Sequence, residues 1–279
     1  MYIVILGMGE VGQAVATVLQ SKHHVYGQDL DVARQSGQEL QDERPITLHV
    51  AIRWSDDFFD AVASAIERHK PHGVVVHSTV PVGTTRRLSL RHDRLPIAHA
   101  PIRGVHPNMA ESLLTFPMAL SGDARLGDGL DEAGIEIHYV GARTETTELM
   151  KLLDLTYYAW NIAFAKESSR LIESLGLEYD QVYRWANETY NSGYQALGRP
   201  EVVRPVLEPI PGPIGGHCVV PGFKMLANEF QLADFLASWH APLESERQVE
   251  PLDPASSGER PMQRARLGAR HEEKVTSLT

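Results

Sequence analysis

The chain opens on five residues, Tyr2-Ile3-Val4-Ile5-Leu6, that run straight into Gly7-Met8-Gly9-Glu10-Val11-Gly12. A helical pattern over residues 10–20 begins inside the glycine stretch. A short apolar run that ends at glycine reads as a buried parallel strand. Strand, glycine turn and helix in direct succession leave few folds open, and each glycine has its own part. Gly7 allows the tight turn, Gly9 lets a diphosphate approach the backbone, and Gly12 permits close packing of helix on strand. The start of the helix favours an anion. Glu10 and Val11 share that first turn and are counted with the predicted cofactor contacts. A second predicted strand, 24–29, ends in Asp29, 17 residues after Gly12. An acid there is suited to the ribose hydroxyls and repels a 2′-phosphate, so the expected cofactor is NAD rather than NADP.

Further strands are predicted at 46–52, 73–79, 95–101 and 135–141, with a helix at 55–69. Strands that alternate with helices imply a parallel sheet covered on both faces. The expected fold class is therefore α/β, an N-terminal Rossmann doubly wound parallel sheet, followed by a helical domain with a long connecting helix. That helix is read at 144–175, where Gly and Pro are absent and Leu149, Leu152, Leu153, Trp160 and Phe164 fall at helical spacing. Its length suits a bridge between domains or a dimer contact. A helix at 179–196, a Pro/Gly-rich stretch at 199–216 and one helix from Pro221 to His240 complete the pattern. The polar segment 241–279 is expected to be largely disordered. The predicted domains are 1–143, binding NAD; 144–240, helical, for substrate and dimerisation; and 241–279, a tail.

Bulk properties narrow the function. Apolar residues make up 43% of the 279, enough for a sizeable core. A net charge of −10 argues against a nucleic-acid binder with a broad basic face. No apolar run is long enough to span a membrane. The first ten residues are too glycine-broken for a signal peptide. One cysteine cannot form an internal disulfide, which fits a reducing cytoplasm. The 13 histidines show no HExxH or HxxxH spacing, so no metal site is expected.

The single cysteine, Cys218, closes Pro211-Gly-Pro-Ile-Gly-Gly-His-Cys. Taken in order with His77-Ser-Thr-Val-Pro-Val-Gly-Thr-Thr85 and the segment 148–167, this stretch resembles the nucleotide-sugar dehydrogenases of the UDP-glucose and GDP-mannose family. The likeness runs from residue 1 to about residue 235. It implies oxidation of a primary alcohol on a sugar, in two steps and with two NAD, to a carboxylate. Cys218 would trap the intermediate aldehyde as a thiohemiacetal and carry the later thioester. The residue type suits that task, because a thiolate is the best neutral-pH trap for an aldehyde and the predicted helix starting there favours an anion. Lys151 matches the lysine that stabilises the oxyanion. Thr79 matches the threonine that helps hold a catalytic water, and its neighbour Ser78 is placed among the cofactor contacts. Glu111, within 106–112, occupies the place of the family's active-site glutamates. Gly215, Gly216 and His217 are assigned to substrate binding, since paired glycines let backbone approach a ligand.

Two positions depart from the family pattern. Leu155 stands where the family has an asparagine sharing the oxyanion, and Gly222 where it has an aspartate. The family also carries a second Rossmann-like domain that grips the nucleotide, for which 279 residues leave no room. The expected partners are therefore a small alcohol or sugar derivative and a second copy of the chain. Two other readings remain open. One is a single-step NAD-dependent dehydrogenase or reductase with Lys151 as acid–base; the other is a non-catalytic NAD-binding module.

Overall fold

The computed structural model describes residues 1–37, 46–104, 107–215 and 218–249. Its sheet strands are β1 (Tyr2–Leu6), β2 (His24–Gln28), β3 (Ile46–Val50), β4 (Gly73–Val76), β5 (Ile97–His99), β6 (Met118–Gly122) and β7 (Ile137–Gly141). They form one sheet in the order β2-β1-β3-β4-β5-β6-β7. All pairs are parallel except β5 with β6. Helices α1 (Glu10–Leu19), α2 (Phe58–His69), α3 (Thr84–Arg91), α4 (Met109–Thr115) and α5 (Asp128–Glu132) lie between strands.

Side chains alternate across a strand, and two cores follow from that. Ile3 and Ile5 of β1 face α1, where they meet Val15 and Leu19, and the same core takes in Leu113 and Leu130. Val4 and Leu6 face the other way, onto Leu48, Val50, Phe58, Val62 and Leu88. The sheet is thus covered on both faces, as a near-continuous apolar β1 and β4 require.

After β7 the chain becomes helical: α6 (Glu145–Ser174), a π-helical turn (Asp180–Arg184) running into α7 (Trp185–Ala196), α8 (Val219–Leu226) and α9 (Gln231–Val249). A third core joins them through Leu152, Ala159 and Ala163 of α6, Phe223 and Leu226 of α8, and Ala233 and Leu236 of α9.

The architecture differs from the sequence expectation in three ways. Strand β6 was not foreseen. It is a short apolar run behind Pro117 that runs antiparallel to β5, so the sheet is mostly rather than wholly parallel. The single helix expected over 221–240 is two helices. Ala227 turns to extended backbone and Asn228 takes a positive φ of 72°, which ends α8 before α9 begins. Third, α9 runs on through Pro242 to Val249, so residues 241–249 are helical rather than part of a disordered tail. The rest of that segment lies outside the described residues.

Candidate active site

The glycine turn has the shape its sequence requires. Gly7 has a φ of 94°, and a Cβ on it would lie 2.9 Å from the Ala51 carbonyl. A Cβ on Gly12 would lie 1.8 Å from the Gly7 carbonyl oxygen, so only glycine lets α1 sit this close to the turn. Gly9 is different, since nothing lies within 4 Å of its Cβ position. That open side, at the cap of α1, is where a diphosphate could approach backbone. Asp29 closes the turn from the end of β2. Its carboxylate accepts the Met8 N–H at 2.6 Å and the Asp31 N–H at 3.0 Å. The residues of this turn therefore fit a dinucleotide, with the acid beside the loop as a ribose contact requires.

The segment after β4 is held from behind by α6. Glu148 is buried, and its carboxylate accepts the N–H groups of Gly83 (2.6 Å) and Thr85 (2.7 Å). Burial pushes the Glu148 carboxyl above its usual range, against the opposing hydrogen bonds from Thr85 and Gly83. Ser78, placed among the cofactor contacts by sequence, is buried and donates its hydroxyl to the Val50 carbonyl at 3.3 Å. Thr79 is half-buried beside it.

One turn beyond Glu148, the Lys151 Nζ donates to the Ile102 carbonyl at 2.8 Å. Burial lowers the Lys151 ammonium below the usual lysine range. The acidic groups of Cys218 and Asp154 oppose that shift, and the positive charge of Arg103 adds to it. Lys151, Cys218, Asp154 and Arg103 thus share one electrostatic neighbourhood. Cys218 is exposed and caps α8. The open Gly215 precedes it, with nothing within 4 Å of its Cβ position. Gly216 and His217 lie outside the described residues. Glu111 is exposed on α4, which packs against α1. No hydrogen bond or ion pair among the described residues ties it to Lys151 or Cys218.

The two departures from the family pattern turn out to touch. A Cβ on Gly222 would lie 2.7 Å from Leu155 Cδ1 and 2.8 Å from Leu155 Cβ. Leucine on α6 and glycine on α8 are fitted to each other as an apolar contact.

Sequence reasoning missed the polar groups buried under the site. His49 Nδ1 lies 2.9 Å from His77 Nε2, and His77 Nδ1 lies 2.6 Å from the Ala100 carbonyl. His99 spans Thr147 Oγ1 (2.7 Å) and the Ser78 carbonyl (3.2 Å). Desolvation lowers His77 to a pKa of about 4 and His99 to about 3. The available signal was a histidine at or near the end of three apolar strand runs, in Ile-Thr-Leu-His-Val, Val-Val-Val-His and Pro-Ile-Ala-His. Among the described residues, no group of three or more His, Cys, Asp or Glu could hold a metal ion. No described helix is long and apolar enough to cross a membrane.

Comparison with known proteins bears on the helical part first. Residues 145–240, which carry Lys151, Leu155, Cys218 and Gly222, match the central domain of the UDP-glucose/GDP-mannose dehydrogenase family. The chain is similar there to the nucleotide-sugar dehydrogenases. Among curated members, UDP-N-acetyl-D-mannosamine dehydrogenase of Methanocaldococcus jannaschii is 27% identical over 168 residues, covering 56% of this chain and 36% of that protein. NDP-N-acetyl-D-galactosaminuronic acid dehydrogenase of Ralstonia solanacearum is 24% identical over 252 residues, covering 77% of this chain and 56% of that one. The chain thus spans about a third to a half of the length of the curated relatives it matches. Solved structures share its fold. UDP-glucose dehydrogenase of Pyrobaculum islandicum superposes with a TM-score of 0.62 at 19% identity, over 86% of this chain and 68% of that one. A Mycobacterium tuberculosis 3-hydroxyisobutyrate dehydrogenase gives 0.63 at 17%, over 88% and 94%.

Proposed function

We propose that this protein is an NAD-dependent oxidoreductase. Its reaction oxidises a primary alcohol, on a sugar or nucleotide sugar, to the aldehyde and then the acid through Cys218. The observation that carries this reading is the packing of α8, which Cys218 caps, onto α6: Leu152 beside Lys151 and Val219 beside Cys218 share one core. The Gly7–Gly12 turn and Asp29 would hold NAD, which would supply the hydride acceptor for both oxidations. The chain's own residues do the rest. The Cys218 thiolate adds to the aldehyde carbon, forming a carbon–sulfur bond and leaving negative charge on the former carbonyl oxygen. The Lys151 ammonium stabilises that oxygen, and its low-dielectric setting strengthens the interaction. After the second oxidation Cys218 holds a thioester. Water attacks it from the Thr79 side, and the thiolate leaves as the carboxylate forms. Glu111 is proposed to act on that water and Ser78 to contact the cofactor. Gly215, Gly216 and His217 are proposed to contact the substrate.

One observation favours a second reading. The Leu155–Gly222 contact puts an apolar wall where the family pattern has two polar side chains, so hydrolysis has less help. A single-step dehydrogenase or reductase with Lys151 as acid–base needs neither side chain, and a lysine lowered by burial suits that task.

The deciding experiment is the NADH yield per molecule of limiting substrate, with NAD in excess, across nucleotide sugars and simpler primary alcohols. Two NADH per substrate, lost in Cys218→Ala, supports the first reading. One NADH, retained in Cys218→Ala, supports the second. Binding of NAD without turnover points to a binding module. A homodimer is also proposed through the exposed Leu153, Tyr157, Phe164 and Leu171 of α6. Light scattering at micromolar protein should give twice the chain mass, and a monomer would count against it.

A further inference from the structure

A lysine that no part of the proposed chemistry uses lies at the other end of the α6 segment. Lys166 is 7% exposed, and its Nζ donates to two main-chain carbonyls, those of Ile210 and of Gly212, the latter at 2.8 Å. Both carbonyls belong to the irregular stretch that leads to Cys218. Residues 203–215 of that stretch contain no helix or strand. Gly212 turns there with a φ of 86°. Two residues on, Ile214 is buried in the core that α6, α8 and α9 share.

The setting makes the contact specific. Among the described residues no carboxylate pairs with the Lys166 ammonium, and the charge that acts on it is the cation Arg170. The neighbouring Glu167 is occupied by Arg170 and by the indole N–H of Trp239. Ala165, next to Lys166 in the chain, packs in a small core with Ile172 and Tyr183. A buried ammonium with no counter-ion is costly, and the two carbonyls are what compensate it. A methionine of similar volume would fill the site without that cost. What the ammonium adds to the apolar anchor at Ile214 is a directional link between the helix that carries Lys151 and the segment that precedes Cys218.

We propose that Lys166 is a positioning residue for Cys218: by holding the carbonyls of Ile210 and Gly212 it sets the course of the segment and the presentation of the thiol. The importance of that presentation rests on the role proposed above for Cys218, but the test does not. Cys218 is the only cysteine, so alkylation by iodoacetamide reports on it alone and needs neither substrate nor cofactor. At fixed neutral pH, Lys166→Met is expected to change the alkylation rate by at least about threefold, the scale of losing hydrogen bonds from a charged donor. Lys166→Arg, which keeps a charged multi-donor group, is expected to return the rate to within about twofold of the parent. A parental rate in a folded Lys166→Met protein overturns the proposal. So does a Lys166→Arg protein that is no nearer the parent than Lys166→Met. If Lys166→Met does not fold, Lys166→Gln replaces it, and a parental rate there overturns the proposal equally. Retained turnover in Cys218→Ala together with altered alkylation in Lys166→Met would remove the catalytic reading and leave the positioning intact.

Discussion

At the scale of single residues, Gly9 and Gly12 separate binding from folding. An alanine at Gly12 would drive its Cβ into the Gly7 carbonyl, whereas one at Gly9 meets open space. Gly12→Ala should therefore destabilise the protein by about 1–3 kcal/mol, as overpacking does, seen as a lower urea midpoint. Gly9→Ala should leave stability within about 0.5 kcal/mol yet weaken NADH binding, measured by fluorescence titration. Equal effects of the two on NADH affinity and stability would mean that Gly9 does not face the cofactor. The conformational roles of Gly7 and Gly12 were legible because the turn leaves no room for a side chain at either position. Glu148 and Lys166 were not. A charged residue on a helix is as a rule solvated, and only the tertiary fold brings carbonyls and N–H groups over it.

At the scale of elements, α6 organises the site. Thr147 reaches β5 and β6, Glu148 the turn before α3, Lys151 the segment after β5, and Lys166 the approach to α8. Each of these loops would otherwise be free to vary, and one helix fixes all of them. The α6–α8 contact can be tested directly at Leu155 and Gly222. Gly222→Ala should cost about 1–3 kcal/mol, since its methyl meets Leu155. Leu155→Ala should cost about 2 kcal/mol or more by leaving a cavity. The double variant should lose less than the sum, because each change relieves the other. Simple additivity in urea melts would show that the two residues are not in contact. The length of α6 was readable from a run without Gly or Pro. The break between α8 and α9 was not, because Asn228 at positive φ carries no breaker signal as strong as glycine or proline. Strand β6 was missed for a related reason: a run this short shows no period.

At the scale of the whole molecule, the centre of the sheet holds a row of neutral histidines. The Ala100 carbonyl can only accept, so His77 Nδ1 carries the proton and its Nε2 accepts from His49. Protonating His77 would set two donors against each other. His77 and His99 have folded pKa values lowered to about 4 and about 3, so the unfolded chain binds their protons first. Their contribution is fully present above pH about 6.5 and is lost as pH falls toward about 3, by up to about 1.4 kcal/mol per pH unit for each. Urea midpoints should hold level from pH 7.5 to about 6.5 and then drop toward pH 5, and an unchanged midpoint at pH 5 would contradict neutral, buried histidines. The overall α/β class was legible from strand and helix periodicity, whereas this polar row was hidden inside apolar runs. The hook that follows β2 has a second consequence. Gly27 and Ser36 exchange both backbone hydrogen bonds, at 2.8 and 3.0 Å, on the outer side of the last strand. The Gln35 side chain and Asp31 fasten the hook to itself and to Asp29. A bare outermost strand invites pairing with another molecule. Residues 29–36 thus adjoin the glycine turn through Asp29 and also cover the edge of the sheet, so shortening them to alter the proposed cofactor contact would put solubility at risk.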